Sequence, residues 1–210
     1  MDFAGMIQTW RQVLTRPGVE VFQEEARSPN ANIVTALIWI VIAAVITAIF
    51  GFLQGSMMGA GMAGMDDMFA DMGLPPEVAG QMMGMMAGGA GLGALLIVPI
   101  SFLIGVGITH LLAKVFGGDG PFGVFAYLVA AFQAPLGIAS AVLSLIPFLG
   151  GCISFLLSIY GLVLTYFAVK AHYALSDGKA IAVVIIPFLL ILFLSLCVAI
   201  AGVAMFAGFN

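Results

Sequence analysis

Between Asp119 and Lys170 the chain runs for 50 consecutive residues without an Asp, Glu, Lys or Arg. A soluble fold cannot accommodate such a run, because its surface needs polar residues at frequent intervals. The run is long enough for two membrane-spanning helices of about 20 residues each. The whole chain is 63% hydrophobic and 8% charged, whereas a typical soluble domain is roughly 25% charged. The sequence therefore predicts an integral membrane protein.

Five apolar segments are long enough to cross a bilayer, and they predict an all-α, polytopic bundle of five transmembrane helices. The segments cover residues 33–53, 90–112 and 122–146, a fourth stretch that ends at Lys170, and residues 180–205. We expect Ser28-Pro29-Asn30 to start the first helix. A very short turn at 147–151 predicts that the third and fourth helices pack as an antiparallel hairpin.

The basic residues all fall in segments that lie on one side of such a bundle. They are Arg11, Arg16, Arg27, Lys114, Lys170 and Lys179. Cytoplasmic loops of membrane proteins accumulate Lys and Arg, whereas translocated loops do not. This pattern predicts a cytoplasmic N-terminus and an extracytoplasmic C-terminus.

Residues 1–29 are predicted to form a cytoplasmic amphipathic segment, separate from the transmembrane domain at 30–210. Apolar residues follow helical spacing at Phe3, Met6, Ile7, Trp10, Val13 and Leu14. One interpretation is a helix in the plane of the lipid headgroups, with Trp10, Arg11 and Arg16 as interfacial contacts. The alternative is that the apolar stripe packs beneath the bundle. A second helix at 19–26 is expected to direct Phe22 inward and Glu24 and Glu25 outward.

Glycines recur at every fourth position near the outer ends of the first two predicted spans. They are Gly51, Gly55 and Gly59 in one series and Gly80, Gly84 and Gly88 in the other. Small residues at this spacing allow two helix backbones to approach closely, within the chain or between copies. The alternative is that glycine is simply common in membrane helices.

Ten of the thirteen methionines lie between positions 57 and 86, in the predicted extracytoplasmic segment. Helical spacing puts four of them on one face: Met58, Met62, Met65 and Met72. Thioethers bind Cu(I) or Ag(I), so this face is a candidate soft-metal site. The alternative is an amphipathic helix that packs on the membrane or the bundle, since methionine fills irregular apolar interfaces. We favour packing, because the segment contains no Cys or His.

The spans lack the groups that catalysis or ion coupling needs. No Asp, Glu, Lys or Arg lies in their interiors, which argues against a driven transporter. The chain has no nucleophile elbow, phosphate-binding loop, dinucleotide fingerprint or zinc-ligand spacing. We therefore predict no catalytic residue, no cofactor, no enzymatic activity and no nucleic-acid partner.

Three sequence landmarks resemble the Yip family, the Rab-GTPase-interacting five-pass membrane proteins. The first is Trp10-Arg11-Gln12-Val13-Leu14-Thr15-Arg16-Pro17, followed by Phe22. The second is 110–118, HLLAKVFGG, with Pro135 downstream. The third is Tyr160-Gly161-Leu162, which leads to Lys179-Ala180. The Asp-Leu-Tyr-Gly-Pro motif of eukaryotic members is absent, with only Gly120-Pro121-Phe122 similar to it, so the resemblance implies a prokaryotic member.

The resemblance implies a non-enzymatic integral membrane protein with a role in membrane organisation. Together with the residue patterns it predicts a scaffold that binds lipid and other membrane proteins or itself. A passive channel or transporter for a small solute is the alternative function. Metal binding by the methionine segment is a further alternative.

Overall fold

The computed structural model describes residues 3–59, 69, 73, 75–80, 89–146 and 149–207. Within these ranges the chain is helical and contains no strand, which confirms the all-α prediction. Residues 76–80 form a short helical segment. The longer helices of the described ranges are numbered here in chain order: α1 Phe3–Thr15, α2 Val19–Ala26, α3 Ile33–Gly59, α4 Gly89–Val115, α5 Phe122–Leu143, α6 Leu149–Tyr173 and α7 Asp177–Ala207.

Helices α3 to α7 are long and apolar enough to cross a membrane. They match the five predicted spans in number and order, and most of their ends differ from the prediction by only a few residues. Helix α5 ends at Leu143, three residues earlier than expected, and a turn follows it. Large apolar side chains are exposed along the outward faces, from Val34 to Phe52 on α3 and from Ile181 to Ile200 on α7. These faces have the composition that lipid contact requires.

The start of α3 depends on Asn32 rather than on Ser28-Pro29-Asn30. The Asn32 Oδ1 atom accepts a hydrogen bond from the Thr35 backbone N–H at 3.0 Å, as in an N-terminal helix cap. Residues 28–30 form the preceding turn. The predicted first helical residue, Ile33, is therefore correct, whereas the predicted start signal is wrong.

Helix α5 is the centre of the bundle. It contacts α1, α2, α3, α4 and α6, most extensively α3. As a result the eight consecutive residues from Phe125 to Phe132 are all buried. Met6, Val13 and Phe22 from the first two helices join the same core.

The three lysines lie in the terminal turns of α4, α6 and α7, and the short connections beside them meet at one end of the bundle. The His172 Nε2 atom lies 3.0 Å from the Pro121 carbonyl oxygen, and the Lys179 Nζ atom donates to the Phe116 carbonyl at 2.9 Å. At the other end the Gln54 side-chain amide donates to the Ser144 carbonyl at 3.0 Å. We call the first end, with the linker 27–32, the turn 116–121 and the link 174–176, the basic end.

Candidate functional site

Helices α1 and α2 form an N-terminal hairpin that packs along the side of the bundle. Phe22 is fully buried, and its ring packs edge-on against Phe132 with a centroid distance of 6.1 Å. The Tyr160 hydroxyl donates to the Leu14 carbonyl at 2.6 Å. Phe132 and Tyr160 both lie near the midpoints of their helices, α5 and α6. The turn of the hairpin is therefore about 15 Å from the basic end along the helix axes.

The apolar stripe of α1 faces the bundle. Met6 and Val13 are buried, and the Trp10 ring packs edge-on against Trp39 with a centroid distance of 6.0 Å. Of the two interpretations of this stripe, the contacts support packing rather than a helix in the headgroup plane. The three predicted interfacial residues separate accordingly: Trp10 is directed inward, whereas Arg11 and Arg16 are exposed.

Glu25 is carried into the bundle by α2, so the prediction that it faces outward is wrong. Its Oε2 atom accepts a hydrogen bond from the Tyr127 hydroxyl at 2.9 Å and another from the Thr9 hydroxyl at 3.4 Å. Tyr127 is five residues into α5, so this carboxylate lies about 8 Å inside the basic end. An ionisable group at this depth is a candidate functional group. The signal that could have identified it is the spacing from Phe22, because residues three apart share a helix face.

A polar cavity of about 400 Å³ lies between the N-terminal hairpin, the linker 27–32 and the first two turns of α3 and α5. It is partly open to the surface. Its lining consists of Gly5, Met6, Gln8, Thr9, Gln12, Glu24, Glu25, Arg27, Ser28, Asn30, Thr35, Trp39 and Tyr127. The cavity thus combines carboxylates, a guanidinium, neutral polar groups and two aromatic rings.

The outward side of the N-terminal hairpin carries charges of both signs. We call Arg11, Arg16, Glu20 and Glu24 the charged face, since all four side chains are exposed. Arg16 and Glu20 flank the hairpin turn, which is the part of the hairpin farthest from the basic end. Charges therefore occur on the surface of the bundle at a level where α3 and α7 expose apolar side chains.

A second cluster of side chains closes the basic end between α4, α5 and α6. The His110 Nδ1 atom lies 2.5 Å from the Tyr173 hydroxyl, and both rings contact aromatic residues at the start of α5. The turn 116–121 fits tightly over this cluster: a Cβ atom at Gly118 would lie 2.7 Å from the Cβ of Tyr173. This packing fixes the turn on the end of α6.

The three lysines of the basic end all have polar partners. Lys114 donates to the Asp119 carboxylate at 2.7 Å, and this hydrogen bond lowers the pKa of Asp119. Lys170 forms an ion pair with Asp177, and Lys179 binds the Phe116 carbonyl near the C-terminus of α4. Two of these lysines are thus neutralised by carboxylates, and the third binds a carbonyl at the C-terminal end of a helix, where positive charge is favourable.

The glycine series and the methionine segment are described only in part. Gly51 and Gly55 are half-buried on α3, which packs against α4, whereas no atom lies within 4 Å of a Cβ built on Gly80. Gly84 and Gly88 lie outside the described residues, as do Met62, Met65 and Met72, and only the backbone is described at Met58 and Gly59. Over the described parts of the chain, no group of three or more His, Cys, Asp or Glu residues could hold a metal ion.

Two of the three sequence landmarks contact the third directly. Leu14, in the first landmark, accepts the hydrogen bond from Tyr160, in the third. Phe116, in the second, accepts the hydrogen bond from Lys179, at the end of the third. The residues that carry the resemblance thus form contacts within one fold.

Comparison with known proteins agrees with this arrangement. The family model for the Yip1 domain matches residues 11–200, from the N-terminal hairpin to the last transmembrane helix. No curated protein and no solved structure matches the chain significantly. The match covers nearly the whole sequence and is consistent with the helical, multi-pass architecture. The chain therefore belongs to the Yip family.

Proposed function

We propose that this protein is a non-enzymatic scaffold that binds other membrane proteins through its charged face. The proposal rests on the position of that face, which extends from the basic end toward the middle of the bundle. Near the centre of a bilayer an Arg, Lys or Asp side chain exposed to lipid costs about 2.5–3.5 kcal/mol, and Glu carries the same carboxylate as Asp. A protein partner that supplies opposite charges removes this cost, and so the charged face is better suited to a partner than to lipid.

The distribution of charge on the charged face restricts the partner. Arg11 and Arg16 belong to α1, whereas Glu20 and Glu24 belong to α2. A complementary surface needs acidic groups opposite the first helix and basic groups opposite the second. The glycine series at the other end of α3 supports close helix packing, within one copy or between two copies.

The proposed location is a prokaryotic cytoplasmic membrane, with the basic end and the N-terminus in the cytoplasm and the C-terminus outside. The positive-inside rule supports this orientation, since Arg27 and all three lysines lie at the basic end. Reporter fusions after Lys114 and Lys179 are expected to report the cytoplasm, and fusions near Asp67 and after Asn210 the outside. A cytoplasmic signal at Asp67 would contradict the orientation.

Photo-crosslinking in the native membrane tests the scaffold proposal. A photoreactive residue in place of Glu20 is expected to give a discrete protein adduct, identified by mass spectrometry. The matched control is Phe155, which is 65% exposed on the apolar face of α6 and is expected to crosslink mainly to lipid. Neutralising the face with Glu20→Gln and Glu24→Gln should weaken capture from position 16.

Two results would count against a scaffold. One is the absence of any protein adduct from positions 16 and 20 in native membranes. The other is reproducible, protein-dependent flux of a small solute into proteoliposomes, which would favour the passive-channel alternative.

A further inference from the structure

The cavity beside Glu25 contains the groups that recognise a zwitterion. Glu24 and Glu25 supply negative charge, and Arg27 supplies positive charge at the rim formed by the linker 27–32. The rings of Trp39 and Tyr127 also line it and pack against each other with a centroid distance of 4.9 Å. Carboxylates accept strong hydrogen bonds from an ammonium group, and aromatic rings attract the same group through their faces.

Trp39 contributes an aromatic ring to the wall of the cavity. Its side chain is 3% exposed, and its indole N–H, like that of Trp10, is buried without an acceptor among the described residues. The group that calls for an acceptor oxygen is the guanidinium of Arg27, which lines the same cavity. A ligand that fits the cavity should therefore carry an anionic group as well as an ammonium group.

The position of the cavity in the bundle indicates the source of this chemistry. The linker 27–32 borders the cavity and immediately precedes Ile33, where α3 begins, and the next residue, Val34, is 62% exposed. Because the exposed side chains of α3 are apolar from Val34 onward, Val34 marks the edge of the hydrocarbon region of the bilayer. The mouth of the cavity is thus level with the phospholipid headgroups on the basic side.

We propose that this cavity binds the headgroup of an ethanolamine phospholipid, with the ammonium at Glu25 and the phosphate near Arg27. A primary ammonium can donate three hydrogen bonds to the carboxylates and side-chain amides of the lining. A choline headgroup has the same charges but no N–H donor, so it cannot form these hydrogen bonds. The proposal does not depend on a protein partner at the charged face, with which the cavity shares only Glu24.

Lipid retention measured by native mass spectrometry tests this site. The full chain would be purified in detergent with an equimolar mixture of dioleoyl phosphatidylethanolamine and dioleoyl phosphatidylcholine. We expect about tenfold preferential retention of the ethanolamine lipid, which corresponds to one strong ionic hydrogen bond. Glu25→Gln keeps the shape and an acceptor for Tyr127 but removes the charge, and it should abolish the preference. Glu20→Gln is the matched control, because Glu20 is on the same helix but outside the cavity.

Fluorescence gives a second readout, since Trp10 and Trp39 are the two tryptophans of the chain and contact each other. Their emission should shift when the ethanolamine lipid is added and not when the choline lipid is added. If Glu25→Gln does not fold, Arg27→Gln decides the matter: because both lipids carry the phosphate, this variant should lower the retention of both severalfold and leave their ratio unchanged. Equal retention of the two lipids by the unaltered protein, an unchanged preference in a folded Glu25→Gln variant, or unchanged retention of both lipids by Arg27→Gln would overturn the proposal. A response to free phosphoethanolamine equal to that for the lipid would also overturn it, because the site would then bind the soluble zwitterion.

Discussion

Replacing Phe22 with alanine is expected to lower the free energy of unfolding by about 3–5 kcal/mol, the usual cost of emptying the site of a buried phenylalanine. Phe22 has no exposed surface, and its ring fills the space between the N-terminal hairpin and Phe132. The loss should detach the hairpin before the five-helix bundle unfolds. Titration with sodium dodecyl sulfate in detergent micelles, followed by tryptophan fluorescence, measures this directly, since Trp10 and Trp39 lie at the contact between hairpin and bundle.

Phe3 is the control for this substitution. It belongs to the same hairpin, but 65% of its surface is exposed. Phe3→Ala should therefore change the unfolding midpoint by no more than an ordinary surface substitution, about 0.5 kcal/mol. Equal effects of the two variants would show that Phe22 is not buried against α5.

Gly150→Ala is expected to disrupt the contact between α5 and α6. A Cβ atom at position 150 would overlap the Leu143 carbonyl oxygen and lie 2.8 Å from the carbonyl carbon. Because both atoms belong to the backbone, neither can move away without a shift of the turn that joins the two helices. Overpacking of this kind typically costs about 1–3 kcal/mol, and the contact at Gly150 is with backbone, so we expect the upper end of that range. The same detergent titration measures it.

The adjacent glycine provides a matched control. No atom lies within 4 Å of a Cβ built on Gly151, which is also in the first turn of α6. Alanine is favoured over glycine in a helix by up to about 1 kcal/mol, so Gly151→Ala should leave stability unchanged or raise it. The two substitutions are one position apart, yet only Gly150→Ala should lower the stability of the protein. A stable Gly150→Ala protein would contradict the described turn.

The sequence predicts the five spans and their common basic end because these depend on local and cumulative properties. Hydropathy over about 20 residues decides whether a segment enters the bilayer. The lysines are close in sequence to the ends of the spans, so their common location follows from the order of the spans. The antiparallel packing of α5 and α6 follows from the very short turn between them. Such features do not require knowledge of distant contacts.

The N-terminal hairpin could not be predicted in the same way. The pattern of α1 shows one apolar face, but an apolar face fits a lipid surface and a protein groove equally well. The choice is made by contacts far apart in sequence, such as Leu14 with Tyr160 and Glu25 with Tyr127. The spans contain no charged residue in their interiors, yet α2 places the Glu25 carboxylate beside Tyr127 of α5, inside the end of the bundle. An inventory of the spans alone therefore misses the candidate site.

The N-terminal hairpin lies beside the middle of the bundle, and two spin-label distances test this position most directly. Nitroxide pairs would be placed at Thr15 and Ile159 and at Thr15 and Ser176, all exposed positions. Cys152 and Cys197, which are exposed and free, would first be replaced by serine. Ile159 is near the midpoint of α6, and Ser176 follows its end at the basic end, roughly 20 Å farther along the axis. Double electron–electron resonance in lipid nanodiscs should give the shorter distance for Thr15 and Ile159. A shorter distance for Thr15 and Ser176 would place the hairpin at the membrane surface and contradict its position beside the middle of the bundle.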